Sequence, residues 1–166
     1  MKYELKENIE YARIGEELIR EEEIFDHIRG NDIQIRYLES NKPMPKKGRV
    51  ILGECRKLSD KTKDILEAIG VEDTTVPDFV IIIYKERIIG FTEEQLRILI
   101  MHELMHIGVK KNNDNGEGTY CIVKHDLEDF RYIVDQYGPH WNEDRSQLTM
   151  QQFLADPETG EIREAV

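Results

Sequence analysis

Cysteine is scarce in this 166-residue sequence, which contains only Cys55 and Cys121, far apart in the chain. A pair so widely spaced argues against a disulfide framework and favours a reducing compartment. Long apolar runs are also missing, because the densest stretches, FVIII and LRILIM, are far too short to cross a bilayer. The first residues, MKYELKENIEYARIGEEL, lack the basic region followed by an apolar region that marks a secretory signal. These absences predict a cytoplasmic protein with no membrane partner.

Positive charge is in deficit: 23 Lys and Arg residues stand against 34 Asp and Glu residues, which gives a net charge of −11. Acidic repulsion disfavours tight, sequence-independent binding to a phosphate backbone, so we do not expect nucleic acid as a partner. The sequence does contain 39% hydrophobic and 34% charged residues, a balance typical of a soluble globular domain. A chain of this length can bury a core without disulfides. Its patterns do not indicate an oligomeric state.

Periodicity and turn residues predict the elements of the first half of the chain. Apolar residues at helical spacing predict one helix over residues 4–29, ending near Gly30. DIQIRYLES and RVILGEC predict strands, with a loop at NKPMPKKG between them. SDKTKDILEAIG predicts a helix with Ser59 as its N-cap and Gly70 as its end. The apolar run DFVIIIY predicts a buried strand that turns back as a hairpin at Lys85–Glu86.

The second half begins with a capping box, in which Thr92 is the N-cap and Gln95 reaches back to it. From this cap the pattern predicts a helix that runs to Ile107. VKKNNDNGEGTY predicts a polar loop, and a second helix is predicted over residues 121–137. Strands and helices mixed in this way predict an α+β fold with a small sheet packed against helices.

We expect three regions in the chain. Residues 1–47 would form an N-terminal helix and strand, packed on or leading into the domain. Residues 48–141 would form its core, and residues 142–166 a C-terminal extension.

The segment HELMH places His102, Glu103 and His106 on the predicted apolar helix. One helical turn brings residues i and i+4 to the same face, so both imidazoles can reach a single cation. Glu103 points about 100° away from His102 around the helix axis. It therefore lies outside the ligand set but close enough to take a proton from a water molecule on the metal. The pattern predicts a zinc site with a general base.

A catalytic zinc site normally takes three protein ligands. On a helical wheel of residues 121–137, His125 and Asp129 lie one turn apart at a margin of the apolar side, and we take His125 as the third ligand. Asp126 and Cys121 are the rival ligands. Asp129 is positioned to accept a hydrogen bond from a ligand histidine. Candidates for stabilising an oxyanion near the metal are Tyr120, Tyr132, Tyr137 and His140.

The segments DFVIII, FTEEQLRILIMHELMHI, VKHDLEDFRYIV and YGPHW, in that order, resemble the putative phage metallopeptidase domain, a zincin-like family met in phages and mobile elements. The resemblance covers roughly residues 48–141 and leaves the acidic helix outside it. It implies a zinc-dependent peptidase fold in which the active-site helix follows an edge strand of a small mixed sheet. Carried over by motif, it implies zinc ligands at His102, His106 and His125, and a catalytic base at Glu103.

The leading hypothesis is therefore a zincin-like α+β domain that hydrolyses peptide bonds with Zn²⁺, a metal-activated water and Glu103 as general base. An extended peptide substrate would pair with the edge of the strand DFVIIIY. One alternative is a zinc-stabilised binding or regulatory module without catalysis, although a structural site has no need of Glu103. The other is a protease acting on DNA-bound proteins, as the SprT-like zincins do, which the net charge of −11 disfavours.

Overall fold

The structure of the chain is a computed structural model that describes residues 5–42, 51–72, 76–125 and 129–142. It has a mixed α+β architecture, as predicted. In chain order the elements are β1 (Leu5–Glu7), α1 (Ile9–Glu21), α2 (Asp26–Gly30), β2 (Ile35–Ser40), β3 (Gly53–Lys57), α3 (Asp60–Ala68), β4 (Phe79–Tyr84), α4 (Glu93–Met105), β5 (Ile107–Lys111), β6 (Gly118–Ile122) and α5 (Arg131–Tyr137). Most of the predicted loop NKPMPKKG and nearly all of the predicted C-terminal extension lie outside the described residues. None of the described helices has both the length and the apolar content to cross a membrane.

The main sheet has the strand order β1-β2-β4-β3, with β2 parallel to β4 and both outer pairs antiparallel. The strand predicted in DFVIIIY is therefore central, and the expectation that it lies at an edge is wrong. Its run of apolar residues has a physical reason, because a strand covered on both faces and paired on both sides is almost entirely buried. Among the described strands, β3 forms the edge nearest to α4.

The chain after β4 does not turn back as a hairpin, which corrects another expectation. Residues Lys85–Arg87 form a 3₁₀ turn that leads towards α4 instead. The capping box at the start of α4 is confirmed: the Thr92 side chain accepts from Gln95 N at 3.1 Å, and the Gln95 side chain accepts from Thr92 N at 2.9 Å. The predicted helix that starts after Ser59 is also confirmed.

The N-terminal segment is not the single helix predicted for residues 4–29. Residues Leu5–Glu7 form β1, and the Asn8 side chain then caps α1 by accepting from Tyr11 N at 3.1 Å. Glu22 is extended, with φ −96° and ψ 122°, and it interrupts the helix before a 3₁₀ turn and α2. Hydrophobic spacing alone does not detect such an interruption, since the apolar residues on both sides of it face the same core.

Helix α1 lies against β2 and α4, and it approaches β2 very closely at Gly15. The ring of Tyr37 on β2, 5% exposed, occupies the space that a side chain at position 15 would need. A glycine here lets the helix backbone contact an aromatic ring directly. The close approach keeps helix and sheet in a tight layer, with α4 beside them.

Beyond α4 the structure differs most from the sequence-based expectation. The polar segment predicted as a loop is a β-hairpin, in which β5 pairs antiparallel with β6 and Ile107 lies opposite Ile122. Gly116 adopts a positive φ of 71° in the turn. The predicted helix over residues 121–137 is wrong over residues 121–125, which form the end of β6 and a loop. Its observed part is α5, and the C-cap Gly138 has a positive φ of 81°.

Candidate metal centre

Helix α4 brings His102 and His106 to its C-terminal end. The helix is apolar over most of its length and buries Ile98, Leu99, Ile100, Met101 and Leu104 in the core. His106 is the C-cap, with helical φ −71° and ψ −14°, so the i, i+4 relation to His102 is preserved. The two rings lie with centroids 5.2 Å apart. The helix thus places both imidazoles at one end of a rigid element.

The hairpin, rather than a second helix, carries the third imidazole. Val123 N donates to the His106 carbonyl at 2.7 Å, and His106 Nδ1 donates to the Val123 carbonyl at 2.7 Å. These two bonds attach the end of β6 to the end of α4, and His125 follows two residues later in a loop. The ligand-bearing helix predicted here is wrong, but the residue predicted from it lies beside the other two histidines.

The three imidazoles converge through their Nε2 atoms. His125 Nε2 lies 3.0 Å from His102 Nε2 and 3.1 Å from His106 Nε2. The other ring nitrogen of His102 contacts the Asp129 carboxylate at 2.7 Å, and that of His106 contacts a carbonyl. Because carboxylates and carbonyls only accept, the Nδ1 atoms of His102 and His106 carry a hydrogen, which leaves the Nε2 atoms of these two rings to offer a lone pair at the common point.

This arrangement of lone pairs fits a metal ion. Nitrogen lone pairs that face one another at about 3 Å repel unless a proton or a cation lies between them, and imidazole suits zinc and its neighbours among the transition metals. Each of the three histidines offers one ligand atom, and all three atoms lie within 4.8 Å of one another. Burial lowers the pKa of His106 to about 4, which keeps the ring neutral and able to bind metal.

Glu103 lies beside this cluster in a buried position. The side chain is only 3% exposed, and its Oε1 lies beside Gly53 of β3, where an added Cβ would be 3.0 Å from it. The pKa of Glu103 is raised to about 7: burial is the largest cause, His102 opposes it, and the charges of Glu54 and Asp129 add to it. Gly53 gives the carboxylate room that no other residue at this position would leave.

Asp129 joins the site from the segment before α5. Its Oδ1 accepts from His102 Nδ1 and from Phe130 N, both at 2.7 Å, and its Oδ2 accepts from Trp141 Nε1 at 2.7 Å. Partial burial acts to raise the pKa of Asp129, but the hydrogen bonds from His102 and Trp141 hold it at about 2. The side chain is therefore a carboxylate that orients His102, the arrangement predicted for it.

A cleft of about 500 Å³ opens over the cluster. Its lining combines the histidines and Glu103 with residues of β3 and the residue before it, the end of β6 and the chain after α5: Leu52, Gly53, Glu54, Ile122, Trp141 and Asn142. The cleft is large enough for an extended segment of a few residues. The edge strand β3 contributes to its lining, together with the apolar side chains of Leu52, Ile122 and Trp141.

Several predicted site residues lie elsewhere. Tyr120 donates through its hydroxyl to the Asn31 carbonyl at 3.2 Å, and Tyr132 and Tyr137 pack against the core. Among the described residues, neither these tyrosines nor His140 lines the cleft. The half-buried Cys121 is not part of the histidine cluster, and Asp126 lies outside the described residues.

Sequence reasoning missed two residues that the structure brings to the site, Gly53 and Trp141. A glycine inside a predicted strand indicates the close approach of another group, so the position of Gly53 could have been recognised from the sequence. The sequence indicates Trp141 more weakly, since it is the single tryptophan and the last residue of the motif YGPHW.

A family model described as putative phage metallopeptidase matches residues 2–154 of the chain. The match begins before β1, so it includes the N-terminal helices that the resemblance by motif left outside. No curated protein and no solved structure matches the chain.

Proposed function

Because this chain belongs to the putative phage metallopeptidase family, we propose that it is a zinc-dependent peptidase with a zincin-like site. Family membership implies a hydrolase that uses a metal ion and acts on proteins or peptides. The observation that carries the finer proposal is the convergence of three imidazole Nε2 atoms beside a buried glutamate. Three protein ligands are the usual set of a catalytic zinc site, whereas structural zinc sites usually take four.

His102, His106 and His125 would hold the zinc ion. When bound, zinc supplies a Lewis acid that polarises a carbonyl and lowers the pKa of water towards neutrality. Asp129 and the Val123 carbonyl hold the Nδ1–H of two of the rings and so fix which nitrogen faces the ion. Glu103 takes a proton from the attacking water at a carboxylate oxygen and returns it to the departing amine.

The edge strand β3 is the element that would align an extended substrate. Tyr84 N donates to the Leu52 carbonyl at 2.9 Å, so Leu52 and Tyr84 form a hydrogen-bonded pair of the antiparallel ladder. By alternation, Gly53 and Cys55 direct their backbone N–H and C=O groups away from β4. A peptide added along this edge would pass the cleft residues next to Glu103. This replaces the earlier assignment of substrate pairing to β4.

The test is the substitution Glu103→Gln in the full chain. Elemental analysis should give about one zinc per chain for the variant as for the wild type, because Glu103 is outside the ligand set. Cleavage of fluorescent casein and of a peptide library, read by mass spectrometry, should fall by at least about 10²-fold, the usual contribution of a general base. Glu39→Gln is the matched control, since Glu39 is also buried, at 8% exposed, but lies away from the cleft.

The outcomes separate the alternatives. Loss of zinc from Glu103→Gln would contradict the division of roles between ligands and base. Zinc in the wild type without cleavage of any peptide would favour the binding or regulatory module. Cleavage that requires added DNA would favour a protease of DNA-bound proteins, against the expectation from the net charge of −11.

A further inference from the structure

We propose that Trp141 is a positioning residue of the metal centre, acting through Asp129 on His102. The inference rests on the proposed function, because it assigns His102 to a metal ion. It adds an uncharged residue far along the chain, after α5, whose ring lies 6.0 Å from that of His102 between centroids. Two contacts carry the inference, one made by the indole N–H of Trp141 and one by its backbone carbonyl.

The indole N–H and the ligand histidine share one carboxylate. Trp141 Nε1 donates to Asp129 Oδ2 at 2.7 Å, while His102 Nδ1 contacts Oδ1 at 2.7 Å. Asp129 lies in neither a helix nor a strand, so no regular element fixes its side chain. With Oδ2 held by the indole, Oδ1 remains aimed at His102. Phe130 N holds Oδ1 at 2.7 Å, and the N–H of Trp141 is the side-chain donor that fixes the other oxygen of the carboxylate.

The backbone of Trp141 is in turn fixed by a hydrogen bond from Gln95. The residue is 4% exposed, and its carbonyl accepts from Gln95 Nε2 at 3.1 Å. Gln95, 1% exposed, uses its Oε1 in the capping box of α4, where it accepts from Thr92 N. One amide side chain thus joins the first turn of α4 to the residue that supports the histidine near the end of the same helix. Glutamate would serve the cap equally well, but it has no N–H to donate to Trp141.

Trp141→Phe is the direct test, because it keeps an aromatic ring and removes the N–H. Zinc affinity, measured by competition with a chromophoric chelator, should fall about tenfold, the lower end of what hydrogen-bond partners of metal ligands contribute. Tyr11→Phe is the matched control: Tyr11 is equally buried, at 5% exposed, and its hydroxyl donates to a carboxylate, that of Glu39, away from the cleft. The control should bind zinc as the wild type does.

A double-mutant cycle separates positioning from general packing. If Trp141 acts through Asp129, then Trp141→Phe in an Asp129→Asn background should weaken zinc binding by no more than about twofold further. Additive losses would overturn the proposal, and so would a Trp141→Phe variant with wild-type affinity. Gln95→Glu, which keeps the capping box, provides a second variant and should lower zinc affinity in the same direction.

A spectroscopic measurement decides the hydrogen bond without any change at Trp141. The chain has one tryptophan, so its NMR spectrum contains a single indole N–H signal. That signal should exchange slowly with solvent, and it should move both on addition of zinc and on Asp129→Asn. A rapidly exchanging indole N–H would overturn the proposal. If the wild type binds no zinc, the proposed function fails, whereas the indole signal and the His102 tautomer in metal-free protein still decide the Trp141–Asp129–His102 link.

Discussion

We expect the substitution Gly53→Ala to lower peptidase activity while leaving metal binding intact. The added Cβ would lie 3.0 Å from Glu103 Oε1, 2.9 Å from Ile83 Cδ1 and 3.0 Å from the Ile82 carbonyl oxygen. Ile83 can rotate its terminal methyl, but the Ile82 carbonyl belongs to the backbone of the central strand β4. The carboxylate of Glu103 must then move, because the methyl cannot retreat towards β4.

The size of the effect follows from these distances. Ordinary contacts of a Cβ begin near 3.4 Å, so the carboxylate must shift by roughly half an ångström or rotate. A misplacement of about 1 Å can cost about 10²-fold in rate, so kcat/KM should fall about tenfold or more. Overpacking costs about 1–3 kcal/mol, and the greater rigidity of alanine offsets a part of it. We therefore expect the free energy of unfolding to fall by about 1–2 kcal/mol.

The assay compares kcat/KM on a cleaved library peptide with zinc content and with urea denaturation of the same sample. Gly118→Ala on β6 is the control, because its added Cβ would meet Val109 Cγ1 at 2.7 Å and produce crowding away from Glu103. The control should lose stability to a similar degree and keep its activity. A folded Gly53→Ala variant with wild-type kcat/KM would refute the assignment of Glu103 as a base held against β3, and one that loses zinc would refute its separation from the ligands.

Two further predictions concern packing and thiol chemistry. Gly15→Ala should destabilise the fold by about 3 kcal/mol or more, because its Cβ would overlap the buried ring of Tyr37. Gly30→Ala, which has nothing within 4 Å of its added Cβ, should change the free energy of unfolding by less than about 1 kcal/mol; equal urea midpoints for the two variants would contradict the packing argument. Burial raises the pKa of Cys55 well above its usual range, so at pH 8 its thiol should stay neutral. In a Cys121→Ser variant, Cys55 should therefore react with a disulfide reagent much more slowly in the native protein than in urea, with a rate that rises as the pH is raised. Equal rates in the native and unfolded states would contradict the shielding of this partly buried thiol.

The part of the site that could be predicted from the sequence is the part encoded locally. His102, Glu103 and His106 are related by a single helical turn, and the capping box at Thr92 fixes where that helix starts. Such relations depend only on residues a few positions apart, so they do not depend on how the rest of the chain folds.

His125 was identified by an argument whose structural premise is wrong. A helical wheel placed it at a margin of an apolar face, whereas the structure delivers it through the register of β5 and β6. The Asn-Gly pair in the segment NNDNGEG, between residues such as Val109 and Tyr120, is typical of a hairpin turn. The prediction of a loop did not take this pair into account. The pairing itself depends on contact with the end of α4, and no local pattern contains that contact.

The order of the strands in the sheet was the feature that could least be predicted from the sequence. The segment Phe79–Tyr84 was recognised as a buried strand, but an apolar run does not say how many neighbours the strand has. Its place at the centre depends on pairing with β2, more than thirty residues earlier in the chain. Long-range pairing of this kind also decides that β3 borders the cleft.

The parallel pairing of β2 with β4 has a practical consequence for anyone who shortens this protein. Expressing only the segment from residue 51 onwards would delete β1 and β2 together with α1, which packs on β2, and α2. The backbone amides and carbonyls of β4 that now bond to β2 would then be left bare along an apolar strand, which is a template for self-association. We expect the fragment from residue 51 onwards to precipitate, so the protein should be expressed with its first forty residues.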